Sequence, residues 1–364
     1  MKIKKKLNSD FTLAILLSFG ILLFAGIKEG FVINGWVNGL FSFLGDKNID
    51  EHLRSCYENH SFDPIVYFCP KDDCFGAFSF FVNESDDVKC ALYDLDEEIF
   101  GVFKNKANVL RNLTNLTKVL DSASFDFSLV LEDSNCIECD FCKCDYSSAL
   151  MHNKFCVFND EIVLTGSTNP TKNGFFKNNN NMIFVKSECL ARSFGDEFVE
   201  LKNGILGKGE KTKTIRTVFS DGKVVESYFC PEDRCQTALV NVIKGSNEVC
   251  FATFSFTDEK IAQSLIDVKL SEGDVFGTIE KRNANSLGSV FSLLNQSINV
   301  RMDNNPNSMH HKIFVIDREI VVTGSYNPTK NGNIRNDENM FIIYDNETAI
   351  KYFEECKWIY ESGV

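Results

Sequence analysis

The distribution of apolar residues separates an uncharged N-terminal segment from the rest of the chain. Residues 11–27, FTLAILLSFGILLFAGI, carry no charge and have no polar face, unlike a helix that packs on a soluble core. As a helix this segment would span roughly 25 Å, close to the hydrocarbon thickness of a bilayer. Lysines concentrated at positions 2–6 favour retention of the N-terminal end in the cytoplasm. The pattern predicts a transmembrane anchor, and a cleaved signal peptide is the alternative.

Beyond residue 59, short apolar runs alternate with segments of helical periodicity. The runs 155–158 and 162–165 flank Asn159 and Asp160, a good turn pair, and predict a β-hairpin. The runs 313–316 and 320–323 predict a second hairpin in the same way. Helical spacing of apolar residues appears in three further segments: 236–244, 261–269 and 350–361. Strands mixed with helices predict an α/β fold.

The chain repeats itself at long range. Residues 151–182 read MHNKFCVFNDEIVLTGSTNPTKNGFFKNNNNM, and residues 309–340 read MHHKIFVIDREIVVTGSYNPTKNGNIRNDENM, which is an ungapped match at an offset of 158. Upstream, YFCPKDDC at 67–74 recurs as YFCPEDRC at 228–235, at an offset of 161. We therefore predict two similar domains that face each other across a pseudo-two-fold axis. The predicted organisation is a cytoplasmic basic tail (1–10), the anchor (11–27), a juxtamembrane segment (28–59), domain 1 (60–205), a linker (206–214) and domain 2 (215–364).

Composition restricts the class and location of the protein. With 44% hydrophobic and 24% charged residues, the chain is neither disordered nor a coiled coil. A formal net charge of −13 argues against a protein that coats nucleic acid by bulk electrostatics, but it allows a small basic site. The even number of cysteines, 14, fits an exported domain. Together with the anchor, this predicts a single-pass protein of the cell membrane with its folded part outside the cytoplasm.

Each copy of the repeat carries the same polar residues at the same spacing. A histidine and a lysine two residues apart on a strand point to the same side, so both can reach one ligand. Lysine, serine and asparagine side chains donate hydrogen bonds to phosphate oxygens. Two imidazoles could divide a displacement at phosphorus, one attacking and the other protonating the leaving oxygen. The residues are His152, Lys154, Ser167 and Asn169 in the first copy and His310, Lys312, Ser325 and Asn327 in the second.

This pattern resembles the phospholipase D superfamily, whose signature is H-x-K-x4-D followed by G-S-x-N, with two copies in each active site. The second copy matches in full from His310 to Asp317, and Glu338 stands at the place of the family's downstream acid. The resemblance covers both halves. It implies two α/β domains, each a mixed β-sheet flanked by helices, that meet at one active site. It also implies a covalent phosphohistidine intermediate, no metal and no cofactor, with attack by His152 and general acid catalysis by His310.

The first copy departs from the family pattern at two positions. Asn159 stands where the second copy has Asp317, and Asn180 stands where it has Glu338. Amides at these places could orient an imidazole but could not supply charge to it. Tyrosyl-DNA phosphodiesterases of the same superfamily lack the aspartate too, so its loss need not end catalysis. We expect unequal roles for the two halves.

Three sets of cysteines stand out. Cys69 and Cys74 recur as Cys230 and Cys235, which favours a short-loop disulfide in each half. The third set has no counterpart in the second half, and its four thiols could form disulfides or bind a structural metal. That set is Cys136, Cys139, Cys142 and Cys144.

The sequence thus predicts a metal-independent phosphodiesterase, most consistent with a nuclease acting on single-stranded DNA or RNA. Lys172 and Lys330, after the motifs, could make the cleft locally positive or could lie in solvated turns. One alternative is a phospholipase D or a cardiolipin synthase-like phosphatidyltransferase, with phospholipid as substrate. Another is a decayed phosphate-binding module. No obligate protein partner is inferred.

Overall fold

The computed structural model describes residues 54–117, 127–207, 209 and 215–364. The predicted tail and anchor, and most of the predicted juxtamembrane segment, lie outside these residues. Within the described part of the chain, no helix has the length and apolar character needed to cross a membrane.

Sixteen strands and ten helices are described. The strands are β1 (Arg54–Tyr57), β2 (Ile65–Cys69), β3 (Val88–Leu92), β4 (Phe127–Glu132), β5 (Cys142–Asp145), β6 (Lys154–Phe158), β7 (Ile162–Gly166), β8 (Asn180–Lys186), β9 (Ile215–Val218), β10 (Val224–Cys230), β11 (Glu248–Thr253), β12 (Asp274–Ile279), β13 (Asn299–Met302), β14 (Lys312–Ile316), β15 (Ile320–Gly324) and β16 (Glu338–Tyr344). The helices are α1 (Cys74–Glu84), α2 (Glu97–Thr117), α3 (Lys172–Phe176), α4 (Glu188–Lys202), α5 (Cys235–Ile243), α6 (Glu259–Leu270), α7 (Lys281–Ala284), α8 (Phe291–Leu294), α9 (Lys330–Ile334) and α10 (Asn346–Ser362).

The strands form two mixed sheets with matching connectivity. The first has the order β2-β8-β7-β6-β3-β4-β5, and the second has the order β1-β9-β10-β16-β15-β14-β11-β12-β13. Without β1 and β9, the second order repeats the first strand by strand, with parallel pairing on one side and antiparallel pairing on the other. The predicted α/β class, mixed sheets flanked by helices, is confirmed, and so are both β-hairpins.

Residues 54–57 belong to the second sheet. They lie in the segment that the sequence analysis treats as juxtamembrane, yet β1 pairs in parallel with β9 from Arg54 opposite Ile215 to Tyr57 opposite Val218. A strand of four residues has too little periodicity to be recognised from sequence, because its partner is more than 150 residues away.

The main core lies between the two sheets. One apolar cluster takes residues from both halves, and α4 contacts strands of both sheets. At its centre the ring of Phe194 lies 5.0 Å from that of Phe155, 4.9 Å from Phe229 and 5.3 Å from Phe341. Two smaller clusters fill the outer faces, where α1 and α2 cover the first sheet and α5 and α6 cover the second. The halves therefore share one core and do not pack as separate bodies.

All fourteen cysteines are paired in seven disulfides. The predicted Cys69–Cys74 and Cys230–Cys235 pairs are confirmed. In the third set Cys136 pairs with Cys144 and Cys139 with Cys142, which leaves none of these thiolates for a metal. The remaining three disulfides join residues distant in sequence: Cys56–Cys189, Cys90–Cys156 and Cys250–Cys356.

We predict that Phe194→Ala lowers the free energy of unfolding by about 3–5 kcal/mol, because it leaves a cavity among rings from both halves. Chemical denaturation of the oxidised protein measures this change. The control is Phe80→Ala, since Phe80 is 59% exposed and its loss should cost no more than about 0.5 kcal/mol. Equal effects of the two substitutions would contradict a shared core centred on Phe194.

Candidate active site

The two histidines lie at the junction of the halves, each just before a central strand. His152 precedes β6 and His310 precedes β14, so Lys154 and Lys312 are the first residues of those strands. The His152 amide donates to Asp337 O of the second half at 2.9 Å. The His310 amide donates to Asn179 O of the first half at 2.8 Å. Each motif is therefore fixed to the other half by its own backbone.

Each imidazole is also oriented by a side chain from the other half. His152 Nδ1 lies 2.7 Å from Glu338 Oε2. His310 Nδ1 lies 3.0 Å from Asn180 Oδ1 and 3.0 Å from the carbonyl oxygen of Ser167. A carbonyl oxygen can only accept, so His310 carries its proton on Nδ1, and Nε2 has the lone pair when the ring is neutral.

Burial controls the protonation of this group. It lowers the pKa of both His152 and His310 well below the usual value, and the ammonium groups of Lys154 and Lys312 lower both further. Burial raises the pKa of Glu338 to about 8. The low pKa of the His152 ring and the high pKa of Glu338 favour a state in which His152 Nδ1 and Glu338 Oε2 share one proton. In that form Nε2 of His152 is unprotonated and nucleophilic.

The lysines are held against the histidines and against aromatic rings. Lys154 Nζ donates to His152 O at 2.8 Å, and Lys312 Nζ donates to His310 O at 2.7 Å and to His310 Nε2 at 3.0 Å. Tyr93 and Phe254 follow the equivalent strands β3 and β11. Their ring centroids lie 4.7 and 4.6 Å from the two imidazoles, and 4.8 and 5.0 Å from the two ammonium groups. Neither ring could be predicted from the sequence, since both lie outside the repeated windows.

The serines of the motifs orient the partners of the histidines. Ser167 Oγ donates to Asn180 Oδ1 at 3.0 Å, and Ser325 Oγ donates to Glu338 Oε2 at 2.8 Å. The glycine before each serine is required by the backbone: at Gly166, with φ +139°, a Cβ would stand 2.3 Å from Asn181 O. The serines thus act through Asn180 and Glu338.

Asn169 and Asn327 remain available for a ligand. The Oδ1 atoms of both are buried and have no hydrogen-bond partner among the described residues. Lys172 and Lys330 begin the short helices α3 and α9, which Thr171 and Thr329 cap. Lys172 forms an ion pair with Glu98, so this lysine lies in a structured turn with its charge already compensated.

Asp317 does not join this group of residues. It follows β14 at the opposite end from Lys312, and its Oδ1 accepts from the amides of Asn247 and Glu248 at 2.8 and 2.7 Å. Asn159 has the same role in the first half, where its Oδ1 accepts from the amides of Asp86 and Asp87 at 2.8 and 3.0 Å. Both residues adopt a left-handed turn, with φ of +53°. An acceptor oxygen suffices here, which explains why an amide can replace the carboxylate.

A buried polar network, missed by the sequence analysis, supports the site from beneath. Asn339 Oδ1 accepts from Thr165 Oγ1 at 2.5 Å, and Asn181 Oδ1 accepts from Thr323 Oγ1 at 2.8 Å. Both hydrogen bonds cross between the halves, and each is the image of the other under the repeat. The signal in the sequence was the identity of Asn181 and Asn339 in the two aligned windows.

Comparison with known proteins identifies the family of this chain. The family model described as "Cardiolipin synthase, PLD-like domain" matches residues 127–202 and 239–360, together more than half of the chain. The chain belongs to the phospholipase D superfamily. Its relatives include a Rickettsia felis protein named phospholipase D, 30% identical over 132 residues that make up 36% of this chain and 66% of that protein. The human mitochondrial cardiolipin hydrolase is 39% identical over 75 residues, which cover 20% of this chain and 30% of that one.

The overall fold also has a solved counterpart. The phosphatidylserine synthase of Haemophilus influenzae superposes with a TM-score of 0.60 over 82% of this chain and 87% of that chain. At 10% identity the likeness concerns the fold alone. The matched region spans slightly less than two thirds of the length of the rickettsial relatives. The predicted family is confirmed.

We predict that Asp317→Asn preserves folding, because the amide oxygen still accepts from the amides of Asn247 and Glu248. Asp317→Ala should lower the free energy of unfolding by about 1–3 kcal/mol, since it removes the acceptor and places a Cβ-only side chain at positive φ. Denaturation curves of the two variants measure the difference. A folded Asp317→Asn protein that loses more than about 100-fold in phosphodiester turnover would instead assign this residue to the chemistry.

Proposed function

We propose that this protein is a metal-independent phosphodiesterase that works through a phosphohistidine intermediate. The observation that carries the proposal is the pair of buried imidazoles, each held at Nδ1 by the other half and flanked by a buried lysine. Two rings held in this way provide one Nε2 for attack and one for proton transfer, and the contact of His310 Nε2 with Lys312 Nζ would give way to the leaving oxygen when substrate binds. Lys154 and Lys312, together with the side-chain amide groups (Nδ2) of Asn169 and Asn327, would donate hydrogen bonds to the phosphate oxygens.

The different partners of the two histidines assign their roles. His152 Nε2 forms a bond to phosphorus while the bond from phosphorus to the leaving oxygen breaks, and His310 Nε2 donates its proton to that oxygen. The phosphorylated ring of His152 is positively charged, and Glu338 stabilises that charge. His310 faces only neutral acceptors, so its imidazolium form releases the proton readily. Water then attacks phosphorus, gives a proton to His310 and displaces His152.

For the substrate we propose single-stranded nucleic acid. Around the histidines the described residues are rich in asparagine and lysine, which suit a polyanionic strand. Phospholipid is the second candidate, favoured by the names phospholipase D and cardiolipin hydrolase among the relatives. We further propose that residues 11–27 anchor the protein in the cell membrane with its folded part outside the cytoplasm. Seven disulfides support an oxidising location.

The experiment is turnover by the full-length protein in detergent, with EDTA, using a labelled single-stranded oligonucleotide and phospholipid vesicles in parallel. We expect oligonucleotide cleavage, and His152→Ala should lower it by at least about 1,000-fold.

His310→Ala, given a p-nitrophenyl ester of thymidine monophosphate, should release one equivalent of nitrophenol and retain the nucleotide on His152, because this leaving group needs no acid. His60→Ala is the control, since the backbone carbonyl of His60 accepts from the amide of Ser220 at the opposite end of the sheet.

The outcomes separate the candidates. Turnover of lipid alone would replace the nuclease proposal with the lipid one. A folded wild-type protein that cleaves neither substrate would indicate a phosphate-binding module. A burst in His152→Ala but not in His310→Ala would reverse the two roles.

We predict that kcat/KM for the phosphodiester falls as the pH rises above about 7. Burial lowers the pKa of Lys154 to about 7 in the free protein, and an amine is charged only below its pKa. The attraction between this ammonium and the substrate phosphate is therefore present at pH 6 and lost by pH 9. A pH profile of kcat/KM reports the free protein and measures the effect. A rate that climbs steadily to pH 9 would contradict it.

A further inference from the structure

An open groove, lined by residues of both halves, lies at the surface of the junction. We define the open groove by Lys71, Phe176, Lys177, Trp358 and the asparagine-rich loop 303–307, which together line a space of about 480 Å³. That volume is within the range of small-molecule and nucleotide sites. The two rings are accessible, since Phe176 is 55% exposed and Trp358 is 44% exposed.

The repeat places a second groove at the equivalent position of the other half, and the chain itself fills it. There Gly207 and Gly209, which follow α4, contact Asp337 and Glu232. The Gly207 amide donates to Asp337 Oδ1 at 2.7 Å, and the Gly209 amide donates to Glu232 Oε1 at 2.7 Å. We call this the filled groove. Its occupant is backbone that donates hydrogen bonds to carboxylates.

The two acidic residues that hold the segment in the filled groove are replaced in the open groove by residues that can donate hydrogen bonds. At the repeat offset of 158, Asp337 corresponds to Asn179, and at the offset of 161, Glu232 corresponds to Lys71. Two carboxylate acceptors are thus replaced by an amide and an ammonium group. A peptide backbone that donates N–H groups loses its carboxylate partners there, whereas a ligand with anionic oxygens meets two donor groups. The Lys71 ammonium also pairs with Glu355, and Asp303 contributes one carboxylate to the lining, so Lys177 is the lysine of this groove without an ion pair among the described residues.

Lysine and the aromatic rings are arranged together in the open groove. Lys71 Nζ lies 3.3 Å from the ring centroid of Trp358 and bonds Glu355 Oε2 at 2.5 Å, which holds the ammonium at the wall. Lys177 stands beside Phe176 and has no ion pair among the described residues. Aromatic faces interleaved with lysines are the usual means of binding single-stranded nucleic acid.

The open groove leads to one histidine in particular. Asn179 lines it, and its carbonyl oxygen accepts from the amide of His310. Asn305 of the loop donates to Asn179 Oδ1 at 2.6 Å, and the same loop continues directly into His310. The open groove therefore adjoins the backbone that positions His310, the residue that we assign as general acid.

We propose that the open groove binds the part of a nucleic acid strand that leaves when the phosphodiester is cleaved, with bases stacked on Trp358 and Phe176. This inference rests on the proposed function and adds the direction in which the bound strand runs from the active site. The filled groove closes the opposite side, so the bound strand extends from the scissile phosphate toward the open groove.

The test measures binding separately from cleavage. In a Trp36→Phe/His152→Asn protein Trp358 is the only tryptophan, and turnover is blocked. Addition of oligothymidylate should quench its fluorescence saturably, and added salt should weaken the binding. Anisotropy of labelled oligonucleotide should show affinity falling about tenfold for Trp358→Leu, since stacking contributes strongly to such affinities. Lys71→Glu, which copies the filled groove, should lower it at least as much.

Lys244→Glu is the matched control. It makes the same change in net charge, but Lys244 follows α5 at the opposite end of the sheets.

Equal losses of affinity for Lys71→Glu and Lys244→Glu would show that the effect is one of net charge alone and would overturn the proposal. So would quenching of Trp358 by anionic phosphatidylglycerol vesicles and not by oligonucleotide. Oligonucleotide cleavage by wild-type protein with unchanged KM in Trp358→Leu would refute the groove and leave the proposed nuclease intact. Saturable binding of oligonucleotide at Trp358 without cleavage by the wild-type protein would support the groove and refute the proposed nuclease.

Discussion

The hydrogen bond between His152 and Glu338, and its counterpart between His310 and Asn180, make the site dependent on the docking of the two halves. The hydrogen bond at Nδ1 of each imidazole comes from the other half. Because both bonds are buried, each needs partners placed to within a few tenths of an ångström, and the shared core between the sheets provides that precision. The threonine–asparagine hydrogen bonds below the histidines add fixed distances at the same junction. Stability and chemistry therefore have a common origin in this interface.

The asymmetry of the two halves has as much meaning as their repetition. A strict two-fold arrangement would give both histidines the same partner and the same proton affinity, which serves a nucleophile and an acid poorly. Substitution of one acid by Asn180 separates the two environments while the geometry is kept. Similar local changes occur elsewhere: the Cys90–Cys156 disulfide of the first sheet occupies the register that Phe251 and Phe314 fill by stacking in the second. Duplication supplied the scaffold, and single positions then differentiated it.

The sequence was sufficient for the fold class and for the group of histidines, lysines and serines, because the repeat is long, ungapped and rich in polar residues that a core does not need. It was insufficient for contacts that depend on how strands and helices distant in the sequence pack against each other. Asp317 belongs to the motif by spacing, yet a strand of five residues carries it about 16 Å along the sheet from Lys312. Tyr93 and Phe254 differ in type and follow strands with no distinctive pattern. Long-range disulfides and β1 depend on partners that only the folded chain brings near.

Charge balance explains why such a site remains poised for an anion. Two lysines and two histidines are buried around Glu338, with Asp94 and Glu132 acting on Lys154 as well, and burial of that many cationic groups lowers the proton affinity of each. The unliganded site thus reduces its own charge by releasing protons. A bound phosphodiester reverses this, because its negative oxygens favour the charged lysines and an imidazolium at His310. Substrate binding would then create the protonation state that the first step requires, so that the general acid is charged only when there is a leaving group to receive its proton.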